Sequence, residues 1–123
     1  LSEKVDVLAP CAMGGAINEN SIYSIRAGIV AGAANNQLTS KEMADELLNR
    51  GILYAPDYVI NAGGIIDVYY QNRGEHSESI VNKHIERIAP TLHAIFSSSD
   101  SRRLSTNAVA DEMAEKILNR VDH

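Results

Sequence analysis

Three short apolar runs, none with strict apolar–polar alternation, constrain this chain more than anything else in it. They are VDVLA at 5–9, IVAGAA at 29–34 and ILYA at 52–55. A strand with one wet face alternates, whereas a strand covered on both faces reads as a continuous, partly β-branched run, the signature of a parallel sheet. Each run meets a breaker: Pro10, then Asn35-Asn36, then Pro56-Asp57, after which YVIN at 58–61 is read as continuing extended. Helical patterns fill the gaps. Asn18 can cap a helix over 19–26, with Ile22 and Ile25 on one face. Thr39-Ser40-Lys41-Glu42 fits a capping box, in which hydroxyl and carboxylate satisfy two free amides reciprocally. Met43, Leu47 and Leu48 follow at helical spacing, and Gly51 supplies a left-handed stop. The expected class is α/β, with about three parallel strands joined by two right-handed βαβ crossovers.

After Asn61 the pattern turns helical. Gly63-Gly64 opens an apolar helix over 65–70 that ends at 71–74. Ile80, Val81, His84, Ile85, Ile88, Leu92, Ile95 and Phe96 then form a stripe that predicts a long amphipathic helix over 77–97, which Pro90 should kink or split. Residues 97–103 read as a polar connector, and a last helix over 106–120 carries Val109, Met113 and Ile117. The division is therefore 1–62, strand-rich, and 63–123, C-terminal helices. The exposed part of the long stripe needs a partner surface and could drive self-association.

The 123 residues amount to one ordinary domain, with 45% hydrophobic and 22% charged residues. A net charge of −5 speaks against a nucleic-acid partner. No apolar run is long enough to span a membrane, and no secretion signal opens the chain, so a cytoplasmic setting is expected. Cys11 is the single cysteine, which excludes an internal disulfide and a cysteine zinc cluster. It reads as a small buried thiol. His76, His84, His93 and His123 lack the spacing of a helical metal pair, so no metal is expected. Arg102-Arg103 reads as a solvated loop.

In an open parallel sheet, ligands bind beyond the carboxyl ends of the strands. Three loops belong there: 9–15, 32–37 and 56–64, all rich in Gly, Ala and Asn. Small residues let backbone approach a flat ligand, and asparagine amides offer donor and acceptor to a carboxamide or carboxylate. None of the loops carries an obvious general base. Asp57 follows a proline and reads as turn geometry, so no catalytic residue is assigned.

The same loops, APCAMGGAIN, VAGAANNQL and GILYAPDYVINAGG, resemble the nucleotide-domain half of the amino-acid dehydrogenases. The leucine dehydrogenases are nearest, those of valine and phenylalanine close behind, and those of glutamate more distant. The resemblance covers nearly the whole chain. It implies a partial Rossmann-like domain with flanking helices. It also implies oxidative deamination of a branched-chain L-amino acid (leucine, valine, isoleucine) to the 2-oxo acid and ammonia, with NAD accepting hydride. The family's catalytic lysine and aspartate lie in an N-terminal domain, and no G-x-G-x-x-G occurs here. The chain is thus expected to be a C-terminal fragment, inactive alone, whose partners are that missing catalytic domain, an amino-acid substrate and further copies of the intact enzyme.

The resemblance also assigns residues. Ala12 and Met13 offer backbone contacts beside the nicotinamide ribose. Asn36 falls on the nicotinamide amide and the region of the substrate carboxylate, while Asn35 either orients the loop or approaches the ribose. Asn61 is expected near the nicotinamide carboxamide. Ile65 and Val68 match positions lining the substrate side-chain pocket. From the residues alone, paired asparagines make turns or caps, Asn61 caps a helix, and Ile65 and Val68 pack a core. Two alternatives stand beside this reading: a non-catalytic α/β interaction or regulatory module, and a phenylalanine-type enzyme of the same family.

Overall fold

The structure is a computed structural model that describes residues 1–121; His123 lies outside them. Strands β1 (Val7–Leu8), β2 (Ile29–Val30) and β3 (Leu53–Tyr54) form a parallel sheet in the order β1-β2-β3. Val7 pairs with Ile29 and Ile29 with Leu53; Leu8, Val30 and Tyr54 form the next row. The central strand ties both neighbours. Ala31 N–H donates to the Leu8 carbonyl at 3.0 Å, and Ala55 N–H donates to the Val30 carbonyl at 2.9 Å. The regular ladders are shorter than the apolar runs.

Because side chains alternate along a strand, the two rows face opposite ways. Val30 and Tyr54 are buried with Ile17, Ile22, Ile25 and Leu47 in the main core. Helix α1 (Lys41–Asn49) covers that face, contributing Met43 and Leu47. Val7, Ile29 and Leu53, on the other face, remain 48%, 37% and 37% exposed.

Five short helices follow β3: α2 (Asp57–Ile60), α3 (Gly63–Asn72), α4 (Glu78–Ile85), α5 (Ile88–Arg102) and α6 (Thr106–Val121). Helices α5 and α6 pack together around Ile95, Val109 and Ala110. The α6 helix returns to α1 and β3, where Thr106 Oγ1 donates to the Tyr54 carbonyl at 2.5 Å. Arg102 donates twice to Glu112, at 2.8 and 3.1 Å, which holds this exposed carboxyl below its usual range.

Several sequence expectations are corrected. The segment 19–26 is not an α-helix. Asn18 Oδ1 accepts from the Asn20 and Ser21 amides, and only a single 3-10 turn (Ile22–Ser24) follows. A short polar side chain has outcompeted the helix for its own backbone. Ile22 and Ile25 are nevertheless both buried. The cap of α1 is Ser40 rather than Thr39, whose backbone N–H and hydroxyl both reach the Ile17 carbonyl. Glu42 is therefore out of box register, and the Ser40 hydroxyl beside it lowers its pKa. Residues 58–60 are helical, not extended. Pro56 sets the entry angle and its carbonyl accepts from Val59 and Ile60 amides, while Asp57 Oδ1 accepts from Tyr58 N–H at 2.6 Å.

The expected break at Pro90 divides the stripe into α4 and α5, and Pro90 occupies the first turn of α5, where no intrahelical N–H is required. The polar connector is corrected too: α5 runs on to Arg102 and stops at Arg103 with φ 54°. Ser99 holds that end, its hydroxyl donating to the Leu104 carbonyl. Cys11 is exposed rather than buried, its Sγ facing the Ala33 amide at 3.5 Å.

Two residues brace the loop after β2. A Cβ on Gly32 would stand 2.7 Å from the Pro10 carbonyl carbon, so backbone would have to shift to admit it. Gln37 is fully buried; its Nε2 donates to the Gly32 and Ala34 carbonyls at 2.8 and 2.9 Å, and its backbone N–H donates to Asp57 Oδ2 at 2.9 Å. Gly32→Ala is expected to lower the unfolding free energy by about 3 kcal/mol, through overpacking, in urea denaturation. Gln37→Ala should cost about 2 kcal/mol, since it strands two buried carbonyls, and hydrogen exchange should show loop 32–37 loosening first. Unchanged midpoints would contradict these roles.

Candidate functional site

Parallel strands release their following loops at one edge, and here all three arrive there in contact. Ala34 N–H donates to the Pro10 carbonyl at 2.9 Å, linking the first loop to the second. Gly14 packs so close that a Cβ would lie 2.9 Å from the Asn35 carbonyl oxygen, and Gly15 N–H donates to the Asn36 carbonyl at 2.7 Å. The third loop joins through Asn61, whose Nδ2 donates to Asn35 Oδ1 at 2.6 Å and to the Ala33 carbonyl at 3.4 Å.

Beside this Asn35–Asn61 pair opens a cleft of about 940 Å³, walled by one face of α3 along its length. Gly63 and Gly64 line its near end, and open space lies where a Gly64 side chain would stand. Ile65 and Val68 line its flank, 78% and 51% exposed. Within the described residues these two aliphatic side chains are not packed in either core cluster. The Asn61 Nδ2 is spent on Asn35 Oδ1 and the Ala33 carbonyl, which leaves the Asn61 Oδ1 as an acceptor and the Asn35 Nδ2 as a donor. A flat amide or carboxamide offers the complementary donor and acceptor.

Of the residues singled out by sequence, the structure thus gathers Asn35, Asn61, Ile65 and Val68. Ala12 and Met13 lie on the same edge, exposed, but do not line this cleft. Asn36, with φ 52°, lines a separate hollow of about 250 Å³ shared with Asp57, Tyr58 and Asn107. Sequence reading passed over Tyr69 and Asn72, which also line the cleft. The available signal was their spacing, one turn beyond Ile65 and Val68 on the same helix face. It also passed over Gln37, whose burial no local pattern announces.

The chemistry of the cleft is that of holding. Among the described residues its lining contains no carboxylate, imidazole or amine. In the neighbouring hollow, partial burial, and then the bond its hydroxyl donates to Asp111 at 3.0 Å, raise the Tyr58 pKa. Tyr54 is raised by burial and by the Asp57 charge. Both phenols therefore stay protonated. Elsewhere His76 Nε2 lies 2.9 Å from Asp67 Oδ1, and His84 Nδ1 lies 3.2 Å from the Tyr70 hydroxyl. Among the described residues no three His, Cys, Asp or Glu side chains gather as metal ligands, and no helix is long and apolar enough to cross a membrane.

Comparison with known proteins agrees with this fold. The profile of the Glutamate/Leucine/Phenylalanine/Valine dehydrogenases matches residues 1–118. The chain is 45% identical over 116 residues to an L-tryptophan dehydrogenase of Nostoc punctiforme, covering 94% of this chain and 33% of the relative. It is 38% identical over 120 residues to the leucine dehydrogenase of Bacillus subtilis, covering 98% and 33%. The crystal structure of L-tryptophan dehydrogenase from Nostoc punctiforme superposes with a TM-score of 0.91 at 44% identity, over 97% of this chain and 35% of that one. The chain spans about a third of the length of these relatives. Similarity does not single out the leucine type, since the tryptophan enzyme stands above it. What the profile, the relatives and the superposition share is the broader grouping, and the chain belongs to the Glutamate/Leucine/Phenylalanine/Valine dehydrogenase family.

Proposed function

We propose that these residues are the nicotinamide-side half of the nucleotide domain in a longer, cytoplasmic amino-acid dehydrogenase. That enzyme oxidatively deaminates an L-amino acid with an apolar side chain to its 2-oxo acid and ammonia. NAD, when bound, supplies the hydride acceptor. The observation that carries the reading is the Asn35–Asn61 amide pair at 2.6 Å, set beside exposed Ile65 and Val68. Donor and acceptor fix a flat carboxamide, and the aliphatic flank receives a substrate side chain next to it.

In this reading Asn61 and Asn35 orient the nicotinamide, while Ala12 and Met13 lie against the ribose with their backbone. Asn36 approaches the amino-acid carboxylate from the adjoining hollow. Ile65 and Val68 favour leucine, valine and isoleucine by burial, at about 0.8 kcal/mol per methylene. That increment discriminates only about 10–200-fold per methylene, so the three substrates overlap. The pyrophosphate grip and the groups that move protons belong to the remainder of the enzyme. Residues 1–62 complete its nucleotide domain, and 63–123 return the chain to the catalytic domain, within an oligomer of identical subunits.

The 123-residue chain alone is expected to show no dehydrogenase activity and weak NAD binding or none; micromolar affinity by calorimetry would overturn this division of labour. In the full-length enzyme, Asn61→Ala should lower kcat/KM for NAD at least tenfold, the loss of an orienting hydrogen bond and of preorganisation, with the melting temperature little changed. An Asn61→Ala enzyme with wild-type cofactor kinetics would remove the central claim.

A further inference from the structure

Asn35 and Asn61 stand on different loops, so their pairing depends on what holds those loops in register. Apart from the bonds that the Asn61 side chain makes, one hydrogen bond among the described residues runs between loops 32–37 and 56–64: Gln37 N–H donates to Asp57 Oδ2 at 2.9 Å. Asp57 does not line the cleft. It nevertheless bears on both members of the amide pair.

On the third loop it does so through backbone. Asp57 opens α2, and its carbonyl accepts from Asn61 N–H at 3.0 Å, one turn further on. That turn is fixed from outside. Pro56 is fully buried, Val59 packs against the cluster of Ile95, Val109 and Ala110, and the Tyr58 hydroxyl donates to Asp111 on α6. On the second loop Asp57 acts through Gln37. The buried Gln37 side chain holds the Gly32 and Ala34 carbonyls, and the Ala34 carbonyl belongs to the peptide plane that leads into Asn35. The bonds close a ring: Asp57 carboxylate to Gln37, Gln37 to the peptide before Asn35, Asn35 to Asn61, and Asn61 back to the Asp57 carbonyl.

The residue type suits this position. An ionised carboxylate has two acceptor oxygens and no donor, and N–H bonds to it are stronger than neutral ones. Here one oxygen takes Gln37 N–H from the second loop and the other takes Tyr58 N–H from the third. An asparagine would present an NH2 to one of those two N–H groups.

We infer that Asp57 is a positioning residue for the cofactor: its carboxylate sets the placement of Asn35 against Asn61, and through them the orientation of a bound carboxamide that it does not itself touch. This deepens the dehydrogenase reading above and rests on it.

The test is made in the full-length enzyme, with whichever of L-leucine, L-phenylalanine and L-tryptophan the wild type oxidises fastest. Two cofactors are compared: NAD, and its acetylpyridine analogue, in which a methyl ketone replaces the carboxamide and no amide donor remains. Asp57→Asn should lower kcat/KM about tenfold for NAD and about twofold for the analogue, which has less alignment to lose. Asp57→Glu, which retains both acceptor oxygens, should restore most of the NAD-to-analogue ratio. Added to Asn61→Ala, Asp57→Asn should cost less than about twofold more, since a residue that acts through Asn61 then has nothing left to align. Thermal melting verifies folding, and Asp57→Ser, too short to reach Gln37, carries the same comparison if Asp57→Asn does not fold. A folded variant with the wild-type NAD-to-analogue ratio, or a further tenfold loss on top of Asn61→Ala, would overturn the inference while sparing the dehydrogenase reading. A wild-type enzyme that oxidises none of the three amino acids with either cofactor would overturn that reading itself.

Discussion

The parallel hydrogen bonding of β2 to both neighbours is the constraint on which the rest depends. Because Ala31 bonds back to Leu8 and Ala55 to Val30, all three chains leave the sheet in one direction. Only then do Pro10, Ala33 and Asn61 meet, and only then can one asparagine on the third loop reach another on the second. A single antiparallel strand would send its loop to the opposite edge and dissolve the cleft. The interactions are individually modest, about 1 kcal/mol net for each backbone bond. Their leverage is geometric: few bonds decide which edge each loop occupies.

Much of this was legible in the sequence because burial leaves a periodic trace. The unalternating runs around Val7, Ile29 and Leu53 announced parallel strands, and Gly63-Gly64 announced the helix that walls the cleft. Pro90 announced a break where one exists. Failures cluster where local polar chemistry competes with periodicity. Asn18 folds its side chain onto nearby amides and replaces a helix with a turn. Asp57 serves its own neighbour Tyr58 and distant Gln37 at once, which turns an apolar stretch from extended to helical. Such bonds depend on three-dimensional partners that spacing does not encode.

The site divides the same way. Asn35, Asn61, Ile65 and Val68 could be gathered from motif resemblance, and the structure brings them together. The sideways turn of Asn36 follows from its left-handed backbone, invisible in a string of letters. Buried Gln37 was hidden for the opposite reason: polar residues beside asparagines read as surface, yet this one is the strut beneath them. The bare row of Val7, Ile29 and Leu53 shows that one side of the sheet is uncovered within the described residues, as the family's greater length leads one to expect.

Helix α3 carries a consequence for how such enzymes diversify. Ile66 is its one buried residue among those described, and the Tyr70 hydroxyl, 3.2 Å from His84 Nδ1, ties it to α4, while the neighbouring stripe of Ile65, Val68 and Tyr69 stays exposed. Mutations on that stripe can remodel what the molecule recognises without taxing its foldedness. A lineage built this way can vary the letters on one helical surface while its sheet and the loop that Gln37 braces stay as they were.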